Sequence, residues 1–197
     1  MCADFSGLAG TQDRTPARTS ERGFSALELL VIIVIICVVV AVAVPALHSK
    51  ARASVLVANV QNLGQLVTEQ AMEGYYPEYR PSGAGDSTVY LSTHLEESLS
   101  TAGDAGYVNP IVGSAQGRTV LNSSAAPTDP QSVAPAVFIT DSQAYQYASF
   151  SGRPETSRRL LAGSLIIAFN TDARSVDVFF VDSEGQRSAD LVSVPTG

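Results

Sequence analysis

From Leu29 to Leu47 the chain reads LLVIIVIICVVVAVAVPAL, without one charged side chain. A run apolar on every side does not form the surface of a soluble domain; it belongs in lipid or inside a bundle of other helices. At about 1.5 Å per residue, a helix of this length nearly crosses the ~30 Å hydrocarbon layer of a membrane. Pro45 interrupts the run near its far end, where its ring removes one helix donor and crowds the preceding turn. Residues 1–22 have the opposite character. They are rich in Thr, Ser, Gly, Arg and Asp, show no apolar period, and read as a disordered leader.

Past Pro45 the pattern changes without a break. Leu56, Val60, Leu63 and Val67 recur in steps of four, three and four, while Asn59, Gln61, Asn62, Glu69 and Gln70 take other positions. That spacing predicts an amphipathic helix. Gly74, with Pro77 beyond it, supplies the stop signal. One helix is therefore expected from about Phe24 to Glu73. Its first part, 24–47, suits lipid or a helix bundle, and its second, 48–74, suits packing on a head formed by residues 75–197.

Within the head, Thr93 and Glu96 have capping-box spacing and predict a short helix over Ser92–Leu99. Residues 101–135 are rich in Gly, Ala, Ser and Pro, with one short strand candidate at Arg118–Leu121. Further strands are predicted at Ala136–Thr140, Tyr145–Phe150, Leu160–Phe169 and Val176–Val181. Turns at Ser151-Gly152, Asn170-Thr171-Asp172 and Ser183-Glu184-Gly185 separate them, and Gly163 marks a bulge. The fold class expected is α+β, a long N-terminal helix packed on a C-terminal antiparallel sheet.

Charge and chemistry narrow the function. A net charge of −7 argues against a general nucleic-acid binder, which needs a basic face. The two cysteines, Cys2 and Cys37, both precede the head, so no disulfide staples it. His48 and His94 have no companion cysteines or spaced carboxylates. Asp172, Asp177, Asp182 and Glu184 do not match a calcium loop and fit turns between strands. Arg153, Arg158 and Arg159 read as a solvated loop. No Ser/His/Asp set and no phosphate loop is present. We expect no catalytic residues, no cofactor and no metal.

The chemistry concentrates where the apolar run begins, at Arg22-Gly23-Phe24-Ser25-Ala26-Leu27-Glu28. A carboxylate at membrane depth costs about 2.5–3.5 kcal/mol on insertion scales, so Glu28 calls for a partner unless it sits at the lipid headgroups. Cutting after Gly23 would create an α-amine at Phe24, four residues from Glu28. The amine of the same chain and that of a neighbour in a bundle are both within reach of such a group.

These residues resemble the type IV pilin and pseudopilin family. RGFSALELLVII is similar to its prepilin peptidase motif, with Gly23 before the scissile bond, aromatic Phe24 after it, and Glu28 four residues on. Pro45 stands where the family often has a helix-bending proline, and Gly74-Tyr75-Tyr76-Pro77 is similar to the Gly-x-Tyr-Pro that often closes the long helix. The likeness covers about residues 22–77. Cys37 departs from a frequent glycine, the head lacks the disulfide of many relatives, and the 23-residue leader is longer than many.

The resemblance implies a structural subunit cut by prepilin peptidase, N-methylated at Phe24 and assembled through Glu28. Arg14, Arg18 and Arg22 before the run are nearly matched by Lys50 and Arg52 after it, so charge sets orientation weakly. The family places the leader in the cytoplasm and the head outside. Implied partners are membrane lipid before assembly, the peptidase, an inner-membrane assembly platform, and other pilin subunits in a homopolymer or mixed filament, with no nucleic acid. The expected location is a single-pass inner-membrane precursor, then a cell-surface filament or a periplasmic pseudopilus. Alternatives are a pseudopilin of a type II secretion system, a minor or competence pilin, a secreted protein cut after Ala43, and a plain anchored binding protein left uncut at Gly23.

Overall fold

The computed structural model describes residues 25–84, 89–101, 106–112, 117–125, 127–128 and 134–196. Its first element is helix α1, Ala26–Met72, followed by α2, Leu91–Thr101. Then come strands β1 (Val120–Asn122) and β2 (Val137–Thr140), and a 3-10 turn at Gln143–Tyr145. Two short helices follow, α3 (Tyr147–Phe150) and α4 (Glu155–Arg159). Strands β3 (Leu165–Asn170), β4 (Ser175–Phe180) and β5 (Val192–Pro195) complete the described elements. The chain divides into two compact units between Val44 and Pro45. The α+β layout agrees with the sequence reading.

Within the second unit, α1 buries Leu56, Val60, Leu63, Gly64, Val67 and Gln70, the face its four-and-three spacing predicts. These side chains join Leu91, Leu95 and Leu99 of α2 against one face of the sheet, formed by Val137, Ile139, Leu165, Ile167, Val176, Val178 and Val194. Every second strand residue points the other way. Phe138, Ile166, Ala168, Phe179 and Val181 meet Tyr145, Phe150 and Leu161 in a separate aromatic layer. Because β3 is buried on both faces, it carries the continuous apolar sequence Leu165-Ile166-Ile167-Ala168-Phe169 rather than an alternating one.

The sheet is mixed, not wholly antiparallel. Its order is β1-β2-β3-β4-β5, with β1–β2 and β2–β3 parallel and the last two pairings antiparallel. For β2–β3 the reason lies in Tyr145–Phe150, which is not a strand. It forms the end of the 3-10 turn and α3, and it lies on the crossover from β2 to β3. Parallel neighbours need such a crossover of a dozen or more residues, whereas a hairpin would have made them antiparallel. Its rings pack edge-on: Tyr147 and Phe150 lie 5.3 and 5.6 Å from Phe179. Arg153 stacks 4.4 Å over Tyr145, and Arg158 donates to the carbonyls of Arg153 and Gly185. Arg153 and Arg158 therefore hold the crossover down rather than forming a solvated loop, whereas Arg159 is exposed and pairs with Glu155 at 2.6 Å. Burial raises the pKa of the Tyr145 hydroxyl, and the adjacent Arg153 works against that shift.

Gly163 is not a bulge within a strand. It precedes β3 at φ +80°, and a Cβ there would fall 2.2 Å from Asn109 Oδ1. Fully buried Asn109 donates to the carbonyls of Ala162 and Pro135 and accepts from the amides of Ile111 and Val112. One amide thus pins residues 109–112 beside the sheet. Strand β5 went unrecognised in the sequence reading. It is four residues long and ends in Pro195, so little pattern marks it.

At Gly64 the helix approaches β5 closely: a Cβ would lie 2.5 Å from Val192 Cγ1 and 2.9 Å from its Cβ. The second distance means rotating Val192 gives no relief, so β5 itself must shift. Overpacking of that kind costs about 1–3 kcal/mol, against roughly 1 kcal/mol gained by replacing a helical glycine with alanine. Gly64→Ala should therefore lower stability by about 1 kcal/mol, read as an earlier denaturation midpoint.

Candidate functional site

The first described residue, Ser25, caps α1. Its Oγ accepts from the Glu28 amide at 3.1 Å, while its own amide donates to Glu28 Oε2 at 2.9 Å. This is a reciprocal capping box, and the Leu29 amide closes the first turn on the Ser25 carbonyl at 3.1 Å. Ser25 and Glu28 have the same Ser/Thr-x-x-Glu spacing from which a cap is expected at Thr93 and Glu96. There it fails. Thr93 lies inside α2 and its hydroxyl donates to the Tyr90 carbonyl. Glu96 accepts from Ser82 at 2.7 Å and from Asn122 Nδ2 at 2.8 Å, tying α2 to β1. Gly23 and Phe24, the proposed cleavage pair, lie outside the described residues.

The capping box leaves Glu28 exposed, with its carboxylate occupied by one backbone donor and free to accept others. Beyond it, α1 runs unbroken through Cys37 and Pro45. From Leu27 to Val44 the large apolar side chains are all at least two-fifths exposed, and the most apolar stretch of this helix is buried nowhere. Burying a Leu or Ile side chain is worth about 1.5–3 kcal/mol, so leaving this surface in water would cost tens of kcal/mol. The helix is long and apolar enough to cross a membrane.

At its other end α1 stops where the sequence predicts. Gly74 adopts φ +91°, a left-handed conformation glycine takes without strain. Tyr76 then pairs with the segment leading into α2: its amide donates to Val89 at 2.8 Å, and its carbonyl accepts from Leu91 at 2.9 Å. Tyr75 stacks on His94 with ring centres 4.1 Å apart. Pro77 lies in a cleft of about 290 Å³ shared with Glu78, Phe169 and Arg174. Gly74, Tyr76 and Pro77 thus turn the chain out of the helix and into the head.

Two of the acidic residues of the later strands and turns serve local contacts. Asp182 Oδ1 accepts from the amides of Glu184 and Gln186, and Asp177 accepts from Ser193 at 2.7 Å. Among the described residues no group of three or more His, Cys, Asp or Glu side chains is placed to hold a metal ion. No protein-family model, curated protein or solved structure matches the chain.

Proposed function

We propose that this chain is the structural subunit of a type IV pilus-like filament. It is made as a single-pass inner-membrane precursor, cut by prepilin peptidase between Gly23 and Phe24 and methylated at the new amine. The observation that carries the reading is the uncovered, charge-free stretch of α1, led by Glu28 and preceded by Arg22-Gly23-Phe24. Such a surface needs lipid first and can exchange it for the same surface of sister subunits.

The exchange has a physical consequence. Lipid tails are as apolar as Leu and Ile, so moving the stalk from lipid into a bundle gains no hydrophobic free energy. Close packing and polar pairing must hold the bundle together. Glu28 is the one carboxylate of the apolar half, and the α-amine of a neighbour's Phe24 is the cation that cleavage supplies. Their pairing would admit cut subunits and exclude uncut ones. The assembly platform lifts each subunit as it docks, and the heads form the outer surface.

Shearing cells that make the full chain tests the reading. The processed chain should be recovered in sedimenting surface filaments. Its retention in the membrane fraction alone, at full length, would instead identify a plain anchored protein.

A further inference from the structure

Charges on α1 are few and evenly placed. Glu28 is followed by none until Lys50 and Arg52, and those by none until Glu69, with Glu73 just past the helix end. Glu28 precedes Lys50 by 22 residues, and Lys50 precedes Glu73 by 23. The order is acid, base, acid, and all five side chains are exposed. Copies inserted in one membrane run parallel. In register, like charges meet, and at twice the spacing Glu28 meets the acids near Glu73. At a displacement of about 22 residues every acid faces a base.

A second feature shares this displacement. Gln61, Gly64, Gln65, Thr68, Glu69 and Met72 of α1, together with Val192 of β5, line an open groove of about 540 Å³. The residues of a displaced copy level with 61–72 are Val39–Lys50. Val39, Ala43, Ala46 and Lys50 follow one another in steps of four, three and four, so they share one helix face. Ala43 and Ala46 are small enough for close approach to Gly64 and Thr68, and Lys50 then arrives beside Glu69 and Glu73. Of the exposed α1 residues beside the groove, Gln61 and Gln65 are uncharged amides that can face an apolar stalk without desolvating an ion, and Glu69 is the one carboxylate, placed where Lys50 of the displaced copy arrives.

We propose that a second copy of this chain lays its stalk in the α1–β5 groove, parallel and displaced by about 22 residues, so that its Glu28 meets Lys50 and Arg52 while its own Lys50 meets Glu69 and Glu73. The inference rests on the filament reading and adds its register. Lone exposed ion pairs contribute little, so the groove supplies the contact and the charges select the offset. Glu28 has two carboxylate oxygens and serves a base of one neighbour and the amine of another together.

Disulfide trapping reads the offset directly. In a Cys2→Ser, Cys37→Ser background, Ala43→Cys is combined with Gln65→Cys, 22 residues away. Control chains combine it with Ala58→Cys or Met72→Cys. Each control site lies seven residues from Gln65, about 10 Å along the helix. That exceeds the Cα separation of about 7 Å that a disulfide tolerates. Mild oxidation of sheared filaments should convert the 43/65 chain into a ladder of covalent multimers, about tenfold more than either control, as the high local concentration of a docked pair requires. Filaments that form yet trap equally at residue 58 or 72, or trap nothing at 65, overturn the register and leave the filament reading standing. Absence of both multimers and sheared material from every chain overturns the two together.

Discussion

Glu28→Gln is expected to yield a precursor that inserts and is cut normally but is lost from sheared filaments by a factor of about thirty or more. Removing one partner of a desolvated ion pair costs about 2–5 kcal/mol, largely because the other charge is left unpaired. The capping box makes this substitution decisive. Gln serves at the third helical position nearly as well as Glu, so the contact with Ser25 and the start of α1 survive while the charge is gone. If Glu28 does no more than cap the helix, the Gln chain assembles at the normal level. The companion Ser25→Ala removes the cap, at about 0.5–2 kcal/mol of local helix stability, and keeps the charge. It should assemble. Quantifying the chain in membrane and sheared fractions separates capping from pairing.

Phe179→Ala should be the most damaging single change in the head. Phe179 is fully buried, and its ring packs edge-on against both Tyr147 and Phe150. Truncating a buried Phe costs about 3–5 kcal/mol, and this ring is the one that both Tyr147 and Phe150 of the crossover meet edge-on. For a domain of this size that loss lowers the melting temperature by roughly 10 °C. Thermal unfolding of the full chain in detergent, followed by near-UV circular dichroism, checks it. A shift of only a degree or two would mean that the aromatic layer is not a continuous core.

How much of this was legible in the sequence depended on how local the signal was. The end of α1 was readable because Gly74 needs a left-handed backbone and Pro77 cannot continue a helix, both properties of single residues. The buried face of α1 was readable because four-and-three spacing is intrinsic to a helix. The sheet topology was not. Tyr145-Gln146-Tyr147 alternates like a strand, yet these residues cover the sheet as a crossover, and only tertiary packing on Phe179 decides between the two. That one misplaced segment is enough to turn the β2–β3 pairing from parallel to antiparallel. Gly163 was misread for a related reason, since Asn109, the residue that fills the space beside it, lies 54 positions earlier in the chain.

The candidate site divides the same way. Gly23, Phe24, Glu28, Pro45, Gly74, Tyr76 and Pro77 were found as a linear motif. The partner that the fold gives Glu28 within its own chain, Ser25, was missed although its spacing was in view. The groove beside Gly64 was invisible because Val192, which closes it, comes from the strand that had not been recognised.

The proposed filament requires one apolar stalk to anchor the chain in lipid and afterwards to hold a polymer together by a newly made amino end. Intact mass and N-terminal sequencing of the chain sheared from cells measure this directly. The mature chain is expected to begin at Phe24, to carry at most a methyl group on its amine and to retain every residue of the stalk. A chain that still begins at Met1, or one that begins at Val44, contradicts it.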